Sequence, residues 1–205
     1  MVKLSMTRLR QLFSSSLLLV TLLAAGLLLA SCRAGAQIVV TGPPTPAARS
    51  LTAWFPRHIP ARFQARGRFE VNPLSDAEMS DYLRADDDGR DQNAHTDDGD
   101  IDGVFEADPD RITLRIPPTG RPDFYTFAHE YGHYVWFNLL SGEDKRRYEG
   151  VYKRQKSAHH LVTRYAQTDV EEGFAEAFSF YANDPALLGR RDALSSQFLA
   201  QWPAP

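Results

Sequence analysis

The sequence has one cysteine among its 205 residues, Cys32, so no intramolecular disulfide can form and an apolar core must hold the fold together. It also lacks an excess of positive charge, with 23 Lys and Arg residues against 26 Asp and Glu residues. Because phosphate backbones bind to basic surfaces, this balance argues against nucleic acid as the main partner. The length suits one domain with a proper core and is short for two.

The N-terminus has the three parts of an export signal. Residues 3–10 are basic, residues 17–30 are apolar, and Leu-Ala-Ser-Cys occupies 29–32. The apolar run falls short of the roughly 20 residues that a membrane-spanning helix needs, and its length is typical of the centre of a signal peptide. The tetrad resembles the lipobox of bacterial lipoproteins. This resemblance implies removal of residues 1–31 and attachment of a lipid to Cys32.

The sequence therefore predicts a protein exported from the cytoplasm and held on a bacterial membrane by the lipid at Cys32. Arg33 follows the cysteine, where an aspartate would indicate retention at the inner membrane. In a cell with two membranes this favours the outer one. The alternative is an ordinary cleaved signal, or an uncleaved anchor, in which Cys32 has no role.

Three segments are expected: a lipoprotein signal peptide over 1–31, a tether over 32–58 and a folded domain over 59–205. The stretch 42–48 contains three prolines. Proline fixes φ and has no backbone N–H, so this stretch predicts an extended chain that spaces the domain away from the membrane.

The body predicts an α+β fold with a small hairpin and a helical C-terminal half. Alternation of apolar and polar residues indicates strands at 104–107 and 111–116, joined by a turn. A further strand is expected at 63–71 and a short helix at 76–85. Apolar residues at helical spacing, together with capping residues, predict more helices over 122–140, 143–156, 169–183 and 192–201.

Two histidines spaced four residues apart, His129 and His133, lie within the helix predicted over 122–140. This spacing puts both imidazoles on one helix face, where they can bind one Zn²⁺. Glu130 lies one step round the helix and can act as general base on a water held by the metal. The pattern predicts a zinc peptidase; the alternative is a surface helix with two unrelated histidines.

A catalytic zinc needs a third protein ligand and an open position. Trp136 and Leu139 stand where an HExxHxxGxxH pattern requires glycine and histidine, which excludes that arrangement. Glu172 and Glu176 share a face of the helix predicted over 169–183, so one could bind the metal while the other supports it. A solvated helix face is the alternative. The candidate ligands are His159, His160, Glu171, Glu172 and Glu176.

Tyr165 stands seven residues before Glu172, and the stretch 165–178 resembles the catalytic domain of anthrax lethal factor and the Pro–Pro endopeptidases. The resemblance extends over about residues 103–182, and its sharp motifs are confined to 129–133 and 165–178. It implies a zincin-like metallopeptidase domain, in which an edge strand beside the cleft pairs with the substrate. The strand at 111–116 is expected beside the cleft.

The resemblance also implies a role for each matching residue. The ligands of one Zn²⁺ would be His129, His133 and Glu172. Glu130 would be the general base, and Glu176 would be a supporting carboxylate near the metal. Tyr165 would donate its hydroxyl proton to the oxyanion of the tetrahedral intermediate, as phenol donors can. The alternative for Tyr165 is a core aromatic residue.

An Asp-rich segment, 98–103, reads D-x-D-x-D-G, as in the start of an EF-hand calcium loop. Its candidate calcium ligands are Asp98, Asp100 and Asp102. However, Pro109 stands at the twelfth position, where such a loop needs glutamate. A solvated acidic loop is therefore expected, with a Ca²⁺ site as the alternative.

Together these features predict a zinc-dependent endopeptidase that acts on a peptide or protein at the outer face of a membrane. One alternative is a lipoprotein that retains zinc and binds without catalysis. The presence of Glu130, Glu172 and Tyr165 argues against this alternative, since a protein that only binds has no use for a general base. The other alternative is a calcium-dependent surface interaction protein, whose binding would depend on the aspartates of 98–103.

Overall fold

The computed structural model describes residues 37–64, 68–86 and 101–202, all of which belong to one compact unit. The predicted signal peptide, Cys32, Asp98 and Asp100 lie outside the described residues. Within the described parts, no helix has the length and apolarity needed to cross a membrane.

Four strands form one mixed sheet in the order β1-β2-β4-β3. The strands are β1 (Gln37–Val40), β2 (Arg68–Leu74), β3 (Gly103–Ala107) and β4 (Asp110–Arg115). β2 runs parallel to both β1 and β4, whereas β3 pairs antiparallel with β4. Side chains of β2 alternate along the strand, so that Phe69 and Val71 are buried on one face.

Seven helices accompany the sheet in the described residues. They are α1 (Pro46–His58), α2 (Asp76–Asp86), α3 (Phe124–Tyr134), α4 (Gly142–Ser157), α5 (Val170–Asn183), α6 (Pro185–Arg191) and α7 (Ala193–Gln201). Short 3₁₀ turns form at Ala61–Phe63 and Tyr165–Gln167, and α3 continues into a π-helical turn at Val135–Leu139. The predicted α+β fold class is confirmed.

The predicted hairpin is confirmed as β3 and β4, but its placement differs from expectation. β4 lies between β2 and β3, so the strand at the edge of the sheet is β3. The strand expected at 111–116 is therefore an inner strand of the sheet, and it is not an edge strand that could pair with a substrate. The strand expected at 63–71 lies further along the chain, at 68–74, because Phe63 closes a 3₁₀ turn and is buried in the core.

The expectation of an extended tether over 32–58 is wrong for residues 37–40, which form β1, and for residues 46–58, which form α1. Pro46 occupies the first turn of α1, where its missing N–H breaks no hydrogen bond, and the Thr45 hydroxyl caps the helix by accepting from Ala48 N. Leu51, Trp54 and Phe55 recur at helical spacing and are buried in the core. Burial of such side chains stabilises each by about 1.5–3 kcal/mol, so the segment folds with the domain.

The sequence also missed α6. The helix predicted over 169–183 does end at Asn183, directly before the pair Asp184-Pro185. The same pair starts the next helix: Asp184 Oδ1 accepts from Leu187 N, and Pro185 occupies the first position of α6.

Helix α3 lies at the centre of the core. Tyr131 is fully buried and its hydroxyl donates to Phe63 O at 2.9 Å. Its ring packs edge-on against Phe55 of α1 and Phe69 of β2, with centroids 5.0 and 5.2 Å away. These contacts fix the helix on one side, and its opposite side faces α5.

Candidate metal and active site

The first functional side chains lie on α3. Asp123 caps the helix, since its two carboxylate oxygens accept from Tyr125 N at 2.8 Å and from the Thr126 hydroxyl at 3.0 Å. The helix then carries His129 and His133 on one face, one turn apart.

The second set of side chains lies on α5. Asp169 caps this helix by accepting from the backbone N–H groups of Glu171 and Glu172 at 2.8 and 2.9 Å. The helix runs antiparallel to α3. This direction follows from three contacting pairs at four-residue intervals, which are Tyr125–Phe180, His129–Glu176 and His133–Glu172.

A glycine sets how closely the two helices approach. A Cβ atom at Gly132 would lie 2.8 Å from Ala175 Cα and 3.2 Å from Ala175 O. Any larger residue at position 132 would force the backbones of the two helices apart. Gly132 therefore allows the close crossing that brings the carboxylates of α5 to the histidines of α3.

Three ligand atoms converge between the helices. Glu172 Oε2 lies 3.1 Å from His129 Nε2 and 3.5 Å from His133 Nε2, and the two nitrogens are 3.2 Å apart. Among the described residues, this is the one group of His, Cys, Asp and Glu side chains whose ligand atoms cluster within reach of a single ion.

The arrangement fits zinc. Ligand atoms about 2.0–2.1 Å from a tetrahedral ion lie about 3.3 Å from one another, close to the three observed separations. Glu172 Oε2 is also buried without a hydrogen-bond partner. A cation placed between this oxygen and the two imidazoles would satisfy it. Two imidazoles and one carboxylate are a donor set typical of catalytic zinc.

The far side of His129 is held by Glu176. Its Oε1 lies 2.9 Å from His129 Nδ1, and its Oε2 accepts from the Thr163 hydroxyl at 2.6 Å. Because a carboxylate oxygen only accepts, the proton of the neutral imidazole belongs on Nδ1. The Nε2 lone pair is then directed at the cluster, as a metal ligand requires.

The charges at the cluster favour a cation. Burial lowers the pKa of His129, but the carboxylates of Glu172 and Glu176 outweigh it and raise that pKa to about 10. Burial raises the pKa of Glu172, yet the two imidazoles hold it well below its usual range. The same negative potential that draws a proton to His129 would draw a divalent metal ion, which would displace that proton.

Glu130 lies beside the cluster and is almost completely buried. A Cβ atom at Gly103 would lie 2.8 Å from Glu130 Cγ and 3.2 Å from its Oε1. The first residue of β3 therefore packs directly against this side chain, and the edge strand begins at the candidate base.

Tyr165 also lies beside the cluster, in the 3₁₀ turn before α5. Its ring centroid is 5.7 Å from that of His129, and 46% of the residue is exposed. Partial burial, together with the negative charges of Glu172 and Glu130, raises the pKa of its hydroxyl well above the usual range. The phenol therefore keeps its proton at neutral pH and remains a hydrogen-bond donor.

The fold thus brings together all six residues that the sequence singled out for the zinc chemistry. The remaining ligand candidates stay outside the cluster. His159 and His160 are exposed after α4, and Glu171 is not among the clustered side chains. Sequence reasoning missed Thr163 and the two packing glycines, Gly103 and Gly132. Their contacts with the site are made across different elements of the fold, so no local pattern marks them.

The calcium loop stays a prediction, because only Asp102 of its three candidate ligands is described. Asp102 lies directly before β3 and forms an ion pair with Arg115, whose Nε is 3.3 Å from its Oδ1. This aspartate therefore already has a cationic partner within the domain.

No protein-family model and no curated protein matches the sequence. Among solved structures, the chain is similar to the Pro-Pro endopeptidase PPEP-2 from Paenibacillus alvei. The two are 17% identical, with a TM-score of 0.51 over 80% of this chain and 96% of the other. The chain therefore shares the α+β fold of that endopeptidase, and on this fold it places a His-His-Glu cluster suited to a metal ion.

Proposed function

We propose that the protein is a zinc-dependent endopeptidase. The cluster of His129 Nε2, His133 Nε2 and Glu172 Oε2, with separations that suit a tetrahedral ion, is the observation that carries this proposal. The fold shared with a Pro-Pro endopeptidase supports a peptide or protein as the substrate. These three side chains would hold one Zn²⁺.

Each remaining group has a role that its position supports. When bound, a zinc ion supplies Lewis-acid chemistry, which lowers the pKa of water and polarises a carbonyl group. Glu130 would accept the proton that leaves the attacking water as the oxygen bonds to the carbonyl carbon. The same carboxyl group would then give that proton to the amide nitrogen as the C–N bond breaks.

Tyr165 would stabilise the oxygen that becomes negative during the attack. Its hydroxyl retains its proton, and half of the residue faces solvent, where a substrate would approach. Removal of one such donor typically raises the barrier by about 3–4 kcal/mol. Glu176 would keep the proton on His129 Nδ1 and hold the ring in the ligating orientation.

The protein is also proposed to act at a membrane surface. Cys32, with a lipid attached, would hold the enzyme at the outer face of a bacterial membrane, and Arg33 favours the outer membrane of a cell that has two. The lipobox-like tetrad at 29–32 is the feature that supports this part.

The test compares the full chain with two glutamate variants. Glu130→Gln keeps the three ligands, so we expect it to bind one zinc ion as the unaltered protein does while peptide cleavage falls by about 10²–10⁴-fold. Glu171→Gln alters a carboxylate outside the cluster and is the matched control, with both zinc binding and cleavage retained. Cleavage products are identified from a peptide library, with and without a zinc chelator.

Two results would contradict the proposal. The first is near-normal cleavage by Glu130→Gln, because that result would show that Glu130 is not the general base. The second is zinc binding without cleavage of any library peptide by the unaltered protein. That result would favour the non-catalytic binding lipoprotein instead.

A further inference from the structure

The hydroxyl of Thr163 forms two hydrogen bonds at once. It donates to Glu176 Oε2 at 2.6 Å and accepts from the backbone N–H of Ala166 at 3.1 Å. Thr163 lies in the segment between α4 and α5, and its partners belong to two different parts of the site.

The first bond leads towards the metal. With Thr163 on Oε2 and His129 Nδ1 on Oε1, both oxygens of Glu176 have a hydrogen-bond partner. The carboxylate is thereby held in one orientation, and so is the imidazole that it accepts from. Without the hydroxyl, Glu176 could rotate about its side chain and His129 would lose its fixed direction.

The second bond leads towards Tyr165. The N–H of Ala166 belongs to the 3₁₀ turn that carries Tyr165. A threonine oxygen that accepts from the backbone three residues on forms a local side-chain-to-backbone hydrogen bond that restrains the chain there. The turn is closed further on by the hydrogen bond from Thr168 N to Tyr165 O at 3.0 Å. The Thr163 oxygen therefore fixes the backbone that positions the phenol.

We propose that Thr163 is a positioning residue that couples the orientation of the metal ligand His129 to the placement of Tyr165. Its hydroxyl oxygen holds the Glu176 carboxylate, which orients His129, and it also holds the backbone turn that carries Tyr165. The kinetic part of this inference rests on the proposed peptidase function, whereas the metal-binding part does not.

The test uses Thr163→Val in the full chain, which keeps the shape and removes the hydroxyl. The zinc dissociation constant is measured by competition with a chromophoric chelator, and we expect it to rise about 10-fold, as for other groups that orient a metal ligand. Thr163→Ser restores the hydroxyl and should restore the constant. Thr52→Val removes a hydroxyl that bonds only to Ala48 O on α1, and it should leave zinc affinity unchanged.

Double variants separate the two branches. If Thr163 acts on the metal through Glu176, then adding Thr163→Val to Glu176→Gln should raise the zinc dissociation constant no further. At saturating zinc, Thr163→Val alone should lower kcat while KM changes little. In a Tyr165→Phe background this further loss of kcat should disappear.

An unchanged zinc affinity in Thr163→Val would overturn the coupling, as would a full additional effect in the Glu176→Gln background. A loss of thermal stability that Thr163→Ser fails to rescue would also count against it. If the unaltered protein cleaves no peptide but zinc affinity follows these expectations, the proposed function fails while the link from Thr163 to the metal ligand stands.

Discussion

Replacement of Gly132 by alanine probes how closely α3 and α5 must cross. The added Cβ would lie 2.8 Å from Ala175 Cα, whereas ordinary contacts begin at 3.4 Å, so the helices must separate by about 0.6 Å. Metal–ligand distances tolerate about ±0.2 Å. Since His129 and Glu172 lie on opposite sides of this crossing, their shared site should open beyond that tolerance.

Two opposing effects set the change in stability. Overpacking of this kind destabilises by about 1–3 kcal/mol, whereas alanine is a better helix former than glycine by about 1 kcal/mol. The net loss in the zinc-free protein should therefore be at most about 2 kcal/mol. The loss of zinc-binding free energy should exceed this loss of folding free energy, because the displacement acts directly on the ligands.

Gly150 provides the matched control for Gly132. It is exposed on α4, and a Cβ atom there would meet nothing within 4 Å, so Gly150→Ala gains the same helix propensity without a clash. We expect Gly150→Ala to stabilise by about 0.5–1 kcal/mol and to leave zinc affinity unchanged. The difference in unfolding free energy between the two variants then isolates the contact with Ala175.

The assay is urea unfolding of the chelator-treated protein, combined with the zinc competition measurement. A Gly132→Ala variant that is as stable as Gly150→Ala, and that binds zinc as the unaltered protein does, would show that the close crossing is not needed. That outcome would mean that α3 and α5 can move apart without disturbing the ligands.

Tyr165→Phe should lower kcat by about 10²–10³-fold while zinc content stays the same, because only the donor to the developing oxyanion is lost; an unchanged kcat measured at saturating peptide would leave Tyr165 without that role. Cys32→Ala should remove the lipid and release the protein from the membrane fraction, as followed by metabolic labelling with a lipid precursor and by fractionation. Continued membrane association of Cys32→Ala would show that another segment anchors the chain.

The sequence predicted the parts of the site that follow from local spacing. The four-residue interval between His129 and His133 is a property of one helix, and so is the interval between Glu172 and Glu176. The capped helices and the alternating hairpin strands were predictable for the same reason. The residues that identify each of these helices and strands lie within a few positions of one another in the sequence.

The remaining features depend on contacts between distant segments. The hydroxyl of Thr163 meets a carboxylate 13 residues further along the chain, and Gly132 meets Ala175 across a helix crossing. The order of the strands likewise depends on long-range pairing. For α1, the prolines suggested an extended chain, but Pro46 starts a helix whose apolar face the core covers.

With a lipid on Cys32, the early start of the folded domain would limit the distance between the domain and the membrane. Strand β1 begins at Gln37, five residues after Cys32. A fully extended chain advances about 3.3–3.6 Å per residue, so this connection reaches at most about 18 Å. An extended tether as far as residue 58 would have reached about 80 Å at the spacing of a proline-rich chain. With a lipid on Cys32, as proposed, the enzyme would therefore work against the bilayer surface, and its substrates would have to present their cleavage sites there.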